Sequence, residues 1–311
     1  MRRISLFSIT FLLLSCSVPR EIIKTPDAAP TCHCEGNGSV TLVLEAGMGN
    51  WSLFYQPIFQ ELKKDYKICL IDRPGYDSKI VPTHPRDAQN IAIELQELLS
   101  ENNIVNNLIL VGHSMGGLHV RMFQSLYPEQ VEGIVLLDAA HPDQFDRLPQ
   151  AFHNILEQQT ISLNKTIKLA QKDYLKYGKK KIPTFGLPDS LLTRYYQVTT
   201  GPEYYCTMQA EIIGFKESLT QVEKLNDLGE LPLLVIGSKN SMEPSILPSK
   251  SKDYPFEEHN EVWYELQQEL SKLSSNSTFI GSSQNHYLHL TDNKLVTEQI
   301  KLFLNKTFKE Q

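Results

Sequence analysis

Leu108-Ile109-Leu110-Val111-Gly112-His113-Ser114-Met115-Gly116-Gly117 decides how this chain is read. An apolar run enters a Gly-x-Ser-x-Gly pentapeptide. A helical pattern, Leu118 to Leu126, follows and stops before Pro128. A buried strand that turns sharply into a helix at a serine exposes that hydroxyl at the edge of a sheet, as a nucleophile elbow requires. The glycines have a steric job: side chains at 112 and 116 would collide with neighbouring strand and helix, and Gly117 relieves the crowding further. A glycine-rich strand–helix turn without chemistry is the plainer alternative.

Outward from this stretch, short apolar runs alternate with helical patterns. Val40 to Glu45, Tyr66 to Asp72, Val131 to Asp138, Leu231 to Ile236 and Thr278 to Gly281 read as strands. Trp51 to Lys64, Arg86 to Ser100, 257–273 and Asn293 to Phe308 read as helices. In Arg86 to Ser100, Ile91, Leu95, Leu98 and Leu99 fall on one face. Such alternation predicts a mostly parallel sheet covered by helices on both faces. The pattern breaks over 142–228, which is polar, helix-prone, rich in Tyr and without a convincing strand. The chain therefore divides into a core, 39–141 plus 229–311, and a helical cap, 142–228, inserted after the strand that ends at Asp138.

A serine hydroxyl needs a base, and the base an orienting carboxylate. His286 follows the strand at 278–281 after a short loop and is the best-placed base; His289 is its rival. His113 and His119 flank the elbow and read as packing or pocket-lining groups, and His141 as a pocket-rim residue. The loop after the strand at 231–236 is a common home for the acid, but Asn240 stands there. Asp138, at the end of the preceding strand, is the preferred acid, with Glu243 behind it. For a developing oxyanion, the backbone N–H of Met115 is one donor. The second comes from Ala46-Gly47-Met48-Gly49-Asn50, with the N–H of Met48 preferred over Gly47 or Gly49.

At this point the chain resembles the α/β-hydrolase superfamily, specifically bacterial capped serine hydrolases, over about residues 40–308. The resemblance rests on Leu44-Glu45-Ala46-Gly47-Met48-Gly49, Asp72-Arg73-Pro74-Gly75-Tyr76, Gly112-His113-Ser114-Met115-Gly116-Gly117 and Asn285-His286-Tyr287, in that order. It implies the α/β-hydrolase fold, Ser114 as nucleophile, His286 as base and an oxyanion hole at Met48 and Met115. The strand end at Asp138 looks like that of haloalkane dehalogenases and some lipases, which carry their acid there. This chain departs from the pattern at Ala46, Asn285 and Asn240, where His, Gly and Asp are usual. Relatives that use an Asp nucleophile are disfavoured by Ser114. The implied activity is cleavage of a carboxylic ester, or a related acyl bond, through an acyl-enzyme. A carbon–carbon bond hydrolase on the same triad is the alternative enzyme. A lipoprotein keeping the fold only for binding is the non-catalytic one.

Composition allows a sizeable buried core and argues against disorder: 311 residues, 41% apolar, 21% charged and a formal charge of −6. No basic stripe argues for nucleic acid; Gly178-Lys179-Lys180-Lys181 reads as a solvated turn, and no repeat or heptad runs through the chain. Arg2-Arg3, an apolar run from Ile4 to Leu14 and Leu13-Leu14-Ser15-Cys16 resemble a bacterial lipoprotein signal, 1–15, cleaved before an acylated Cys16. Cleavage removes two arginines and no acid, taking the formal charge to −8. Acyl chains on Cys16, palmitate among them, would anchor the protein in the cell envelope. Ser17, where Asp would signal inner-membrane retention in some enteric bacteria, favours the outer membrane. Residues 16–38, broken by Pro19, Pro26, Pro30, Gly36 and Gly38, read as the lipidated residue and its tether. In an oxidising compartment Cys32 or Cys34 can pair with Cys69 or Cys206; spacing leaves the choice open. Cys32-His33-Cys34 lacks a second ligand pair, so no metal is expected, and no motif calls for a cofactor.

Overall fold

The structure, a computed structural model, describes residues 31–76, 80–173, 184–246 and 253–308. The expected signal segment, Cys16, the start of the tether and the Lys179–Lys181 turn lie outside them. Seven strands form one sheet: β1 (Thr31–Glu35), β2 (Thr41–Glu45), β3 (Lys67–Asp72), β4 (Leu108–His113), β5 (Val131–Leu137), β6 (Leu233–Ser238) and β7 (Ser277–Ser282). Their order is β1-β3-β2-β4-β5-β6-β7. Every pairing is parallel except β1 with β3. This is the α/β-hydrolase fold expected above.

Ten helices are described: α1 (Gln56–Leu62), α2 (Ala88–Glu101), α3 (Gly116–Leu126), α4 (Gln144–Arg147), α5 (Gln150–Asp173), α6 (Asp189–Thr199), α7 (Pro202–Glu223), α8 (Phe256–Leu270), α9 (Leu288–Thr291) and α10 (Asn293–Phe308). The central strands are buried on both faces, so they read as continuous apolar runs. One face packs Leu95, Leu99, Leu118 and Phe123 of α2 and α3 against Val43, Leu110 and Leu136. The other packs Ile58 and Leu62 of α1 and Val296 and Ile300 of α10 against Leu42, Val111 and Val135.

Two boundaries differ from the sequence reading. The tether ends before Thr31, because Thr31–Glu35 forms the edge strand β1 instead of free chain. Its polar sequence lacks an apolar alternation to announce it; what holds it is pairing with β3 and a disulfide between facing residues Cys34 and Cys69. Cys32 remains a free thiol. With Cys34 oxidised, the Cys32-His33-Cys34 segment offers a metal one thiol fewer. The inserted region carries α4 to α7 and, among the described residues, no strand. Its last helix, α7, is no detached cap element: Phe215, Leu219 and Val222 join the same apolar cluster as α2 and α3. Arg121 of α3 donates to the carbonyl of Leu225 just past the end of α7, at 2.5 Å. A cation there complements the helix dipole.

Candidate active site

β4 delivers Ser114 on a tight turn. A Cβ on Gly112 would lie 2.6 Å from the carbonyl oxygen of Gly116, and one on Gly117 would lie 2.5 Å from Cβ of Ala139. Only glycines let β4, α3 and the β5 end approach this closely. Ser114 has φ +52°, a left-handed conformation costing on the order of 1–3 kcal/mol for a non-glycine residue. Its carbonyl accepts from Ala140 N–H at 2.9 Å and its N–H donates to Leu137 at 3.1 Å, which hold the turn.

The structure brings Ser114, His286 and Asp138 together from three strand ends. Ser114 Oγ lies 2.9 Å from His286 Nε2, and His286 Nδ1 lies 2.7 Å from Asp138 Oδ2. A carboxylate can only accept, so Nδ1 carries the proton and Nε2 is left to accept from the serine. Asp138, fully buried and with φ +43°, accepts four bonds. Ser238 N–H (2.8 Å) and Trp263 Nε1–H (2.9 Å) donate to Oδ1; Ser241 Oγ–H (2.5 Å) joins His286 on Oδ2. A buried carboxylate needs all these partners. His286 is placed by its own backbone: its N–H donates to Ser241 at 3.1 Å and its carbonyl accepts from His113 Nε2 at 2.9 Å.

The rival groups stand elsewhere. Glu243 accepts from Asn285 Nδ2 at 2.8 Å, and Asn240 Nδ2 donates to Ser283 at 2.7 Å; neither bonds His286. His289 is buried against His113 and Tyr55, with neither ring nitrogen partnered among the described residues. Burial, aided by nearby His286, pushes its pKa down to about 3. His113 is likewise buried and held well below its ordinary value. His119 is buried, with Nδ1 2.8 Å from Glu45 Oε1. His141 accepts from Asp143 N–H and contacts Glu269.

The oxyanion-loop candidates divide. Gly49 N–H is already engaged, 3.1 Å from Tyr76 Oη and 3.3 Å from Glu211 Oε2. Among the described residues the N–H groups of Met48 and Met115 have no acceptor, nor has that of Gly47. Gly47 lies against the serine: a Cβ on it would sit 2.9 Å from Ser114 Cβ. Behind the loop stands a charge cluster that sequence reasoning missed. Arg73, 2% exposed, donates to Glu45, Glu211 and two loop carbonyls. Burial alone would raise the Glu45 carboxyl; Arg73 and His119 hold it below the usual range instead. Arg73 lies in Asp72-Arg73-Pro74-Gly75-Tyr76, but nothing in the sequence pairs it with Glu211. Ser241 lies in the loop after β6 beside Asn240, and Trp263 is an apolar position of α8.

The sequence profile of the α/β hydrolase fold matches residues 40–244, well over half of the chain. The chain belongs to that family. It is 34% identical over 122 residues to a 2-hydroxy-6-oxononadienedioate/2-hydroxy-6-oxononatrienedioate hydrolase of Paraburkholderia phymatum, covering 37% of this chain and 42% of that protein. It is 32% identical over 97 residues to a pimeloyl-[acyl-carrier protein] methyl ester esterase of Pseudoalteromonas atlantica, covering 30% and 35%. The chain thus spans less than half the length of these curated relatives. Among solved structures, a thermophilic esterase from Thermogutta terrifontis superposes with a TM-score of 0.61 at 17% identity, over 89% of this chain and 93% of that one. That likeness is one of fold.

Proposed function

We propose that this hydrolase is a serine hydrolase cleaving a carboxylic ester or a related acyl bond of a small molecule. One observation carries the reading: the unbroken run Ser114 Oγ, His286 Nε2, His286 Nδ1, Asp138 Oδ2 at 2.9 and 2.7 Å. Ser114 attacks the acyl carbon while His286 takes its proton. The N–H groups of Met48 and Met115 receive the oxyanion. Collapse expels the alcohol, which collects the proton from His286. Water then repeats the sequence on the acyl-enzyme and frees the acid. Asp138 holds the imidazole tautomer and stabilises its cation. The inserted helices cover the site as a lid. Similarity to the Paraburkholderia enzyme favours one second reading, a carbon–carbon bond hydrolase on the same groups. The binding-lipoprotein alternative predicts an unreactive Ser114.

The N-terminal segment supports export and acylation of Cys16, with the domain tethered at the envelope, outer membrane favoured. No described helix is long and apolar enough to cross a membrane. Incorporation of labelled palmitate, lost in Cys16→Ala, tests the anchor.

For the chemistry, the full chain in mild detergent is treated with a fluorophosphonate and its intact mass read. One adduct is expected, absent in Ser114→Ala and much slowed in His286→Ala. No adduct, where a control esterase labels, would overturn the reading. An ester library and a vinylogous diketone then separate the two enzymatic readings.

A further inference from the structure

α7 belongs to the inserted region, yet one face of it is built into the oxyanion loop. Tyr204, Thr207, Met208 and Glu211 recur at i, i+3, i+4 and i+7 and share that face. Tyr204 Oη donates to the Gly49 carbonyl at 2.9 Å, and Thr207 Oγ1 to the Pro74 carbonyl at 3.0 Å. Gly49 has φ +70°, a conformation that favours glycine, and Met208 Sδ lies 2.9 Å from where a Cβ on it would stand, so loop and helix are in direct contact. Glu211, fully buried, takes Arg73 Nε on Oε1 at 2.8 Å and Tyr76 Oη on Oε2 at 2.6 Å. Its Oε2 also accepts the Gly49 N–H.

Arg73 carries this anchoring to the reacting edge of the loop. Its guanidinium is planar, so fixing Nε on Glu211 fixes the directions of the other donors. Nη1 donates to the Ala46 carbonyl at 2.8 Å and Nη2 to the Gly47 carbonyl at 2.9 Å. In a trans peptide the N–H points opposite the preceding carbonyl. Holding those two carbonyls on Arg73 therefore turns the Gly47 and Met48 N–H groups away from it, where they have no acceptor among the described residues. Glu45 competes for the same cation, with Nη1 at 2.6 Å and its own Oε2 unpartnered. Without the Glu211 carboxylate, Arg73 would be drawn to Glu45 and its grip on the loop would change.

We propose that Glu211 is a positioning residue for the oxyanion donors. Through Arg73 and Gly49, helix α7 sets the direction of the Met48 N–H, so the inserted region is part of the catalytic apparatus and not only a cover. The inference rests on the serine-hydrolase reading above. Glu211→Gln is the sharpest probe. The amide oxygen can still accept from Arg73, but the amide nitrogen then faces Gly49 N–H, donor against donor.

The full-length protein is assayed with 4-nitrophenyl acetate and with phenylboronic acid. Boron takes Ser114 Oγ as its fourth ligand while His286 takes the proton, and a boron-bound hydroxyl occupies the oxyanion position. In Glu211→Gln, kcat is expected to fall about 10- to 100-fold, as for a displaced donor and less than the roughly 100- to 1,000-fold cost of losing one outright. KM stays within about twofold. Ki for the boronic acid rises with the loss in kcat, and the pH midpoint of kcat/KM does not move. Tyr76→Phe removes one hydroxyl from the same cluster, keeps the Arg73–Glu211 pair and should give a smaller parallel loss, about threefold or more; it decides the matter if Glu211→Gln does not fold. A folded variant with parental kcat and Ki overturns the proposal, as does a fall in kcat without a rise in Ki. A parent that neither labels at Ser114 nor turns over ester overturns the hydrolase reading and this proposal with it. An active parent indifferent to both substitutions overturns only the proposal.

Discussion

The two halves of the site are held by different kinds of structure. The half proposed to transfer the proton hangs on strand ends: Asp138 after β5, Ser238 and Ser241 at and after β6, His286 after β7. A parallel sheet brings those ends to one edge whatever else the chain does, so topology does most of the placing. The half proposed to receive the oxyanion has no such guarantee. Its loop after β2 is held from behind by Arg73, which is shared between Glu45 on β2 and Glu211 on α7. Here placement depends on buried charges that must find one another across the insertion. Losing one partner of such a pair leaves a bare charge indoors, at a cost of about 3–5 kcal/mol. Isosteric substitution in the first half should therefore cost mainly chemistry, and in the second both chemistry and structure.

The largest expected effect lies in the first half. Asp138→Asn keeps shape and can keep the bonds from Ser238 and Trp263 on its remaining oxygen. Its amide nitrogen then faces His286 Nδ1 and forces the wrong imidazole tautomer. A fall in kcat of about 10⁴ is expected, as for a comparable triad change, with the melting temperature little altered. Steady-state turnover of an ester checks it; near-parental kcat would remove Asp138 from the proton-transfer half.

This contrast also explains what was legible in the sequence. Gly112-His113-Ser114-Met115-Gly116 and the apolar strands around it are local patterns, so the fold and the meeting of Ser114, His286 and Asp138 could be read from spacing. Asp138 could be preferred because Asn240 left the usual position empty of an acid. Glu211 could not be found, because one glutamate in a 22-residue helix looks like any solvated charge until the fold buries it beside Arg73, over a hundred residues away. Trp263 was hidden for a related reason: helical periodicity marks it as core but cannot say that its indole N–H ends on Asp138. β1 was hidden by its polar edge-strand sequence, which relies on a disulfide and on β3 instead of an apolar face.

A smaller effect tests whether the halves are independent. Trp263→Phe removes one donor from Asp138 Oδ1 and retains most of the ring packing against His286. A charge-assisted bond of this kind is worth about 1.5–3 kcal/mol; shared among four donors, its loss should lower kcat about tenfold and, because the boronate adduct also leaves a proton on His286, raise the boronic acid Ki by no more than that factor. Combined with Glu211→Gln, the two losses should multiply, as for sites with no shared partner. A double variant departing from the product by more than about threefold would show that the halves are coupled.

The smallest effect on turnover, and a distinct effect on stability, belongs to His289. It packs beside the proton-transfer half without bonding to it, its ring 4.3 Å from that of His113. With its pKa held down to about 3 by burial, it stays neutral in the folded protein while the unfolded imidazole gains a proton below about pH 6.5. The unfolded state therefore binds more protons as pH falls from 6.5 towards 3, and stability drops over that window. His289→Phe removes this term and two unpartnered buried nitrogens. Its melting temperature should match or exceed the parent's at pH 7.5 and decline less steeply between pH 6.5 and 4, with His113 still contributing to what slope remains. Turnover should stay within about threefold, because His286, the proposed base, is left in place. A loss of turnover approaching that of His286→Ala would move His289 into the proton-transfer half, and an unchanged acid slope would mean that the folded protein gives its ring a partner and a proton.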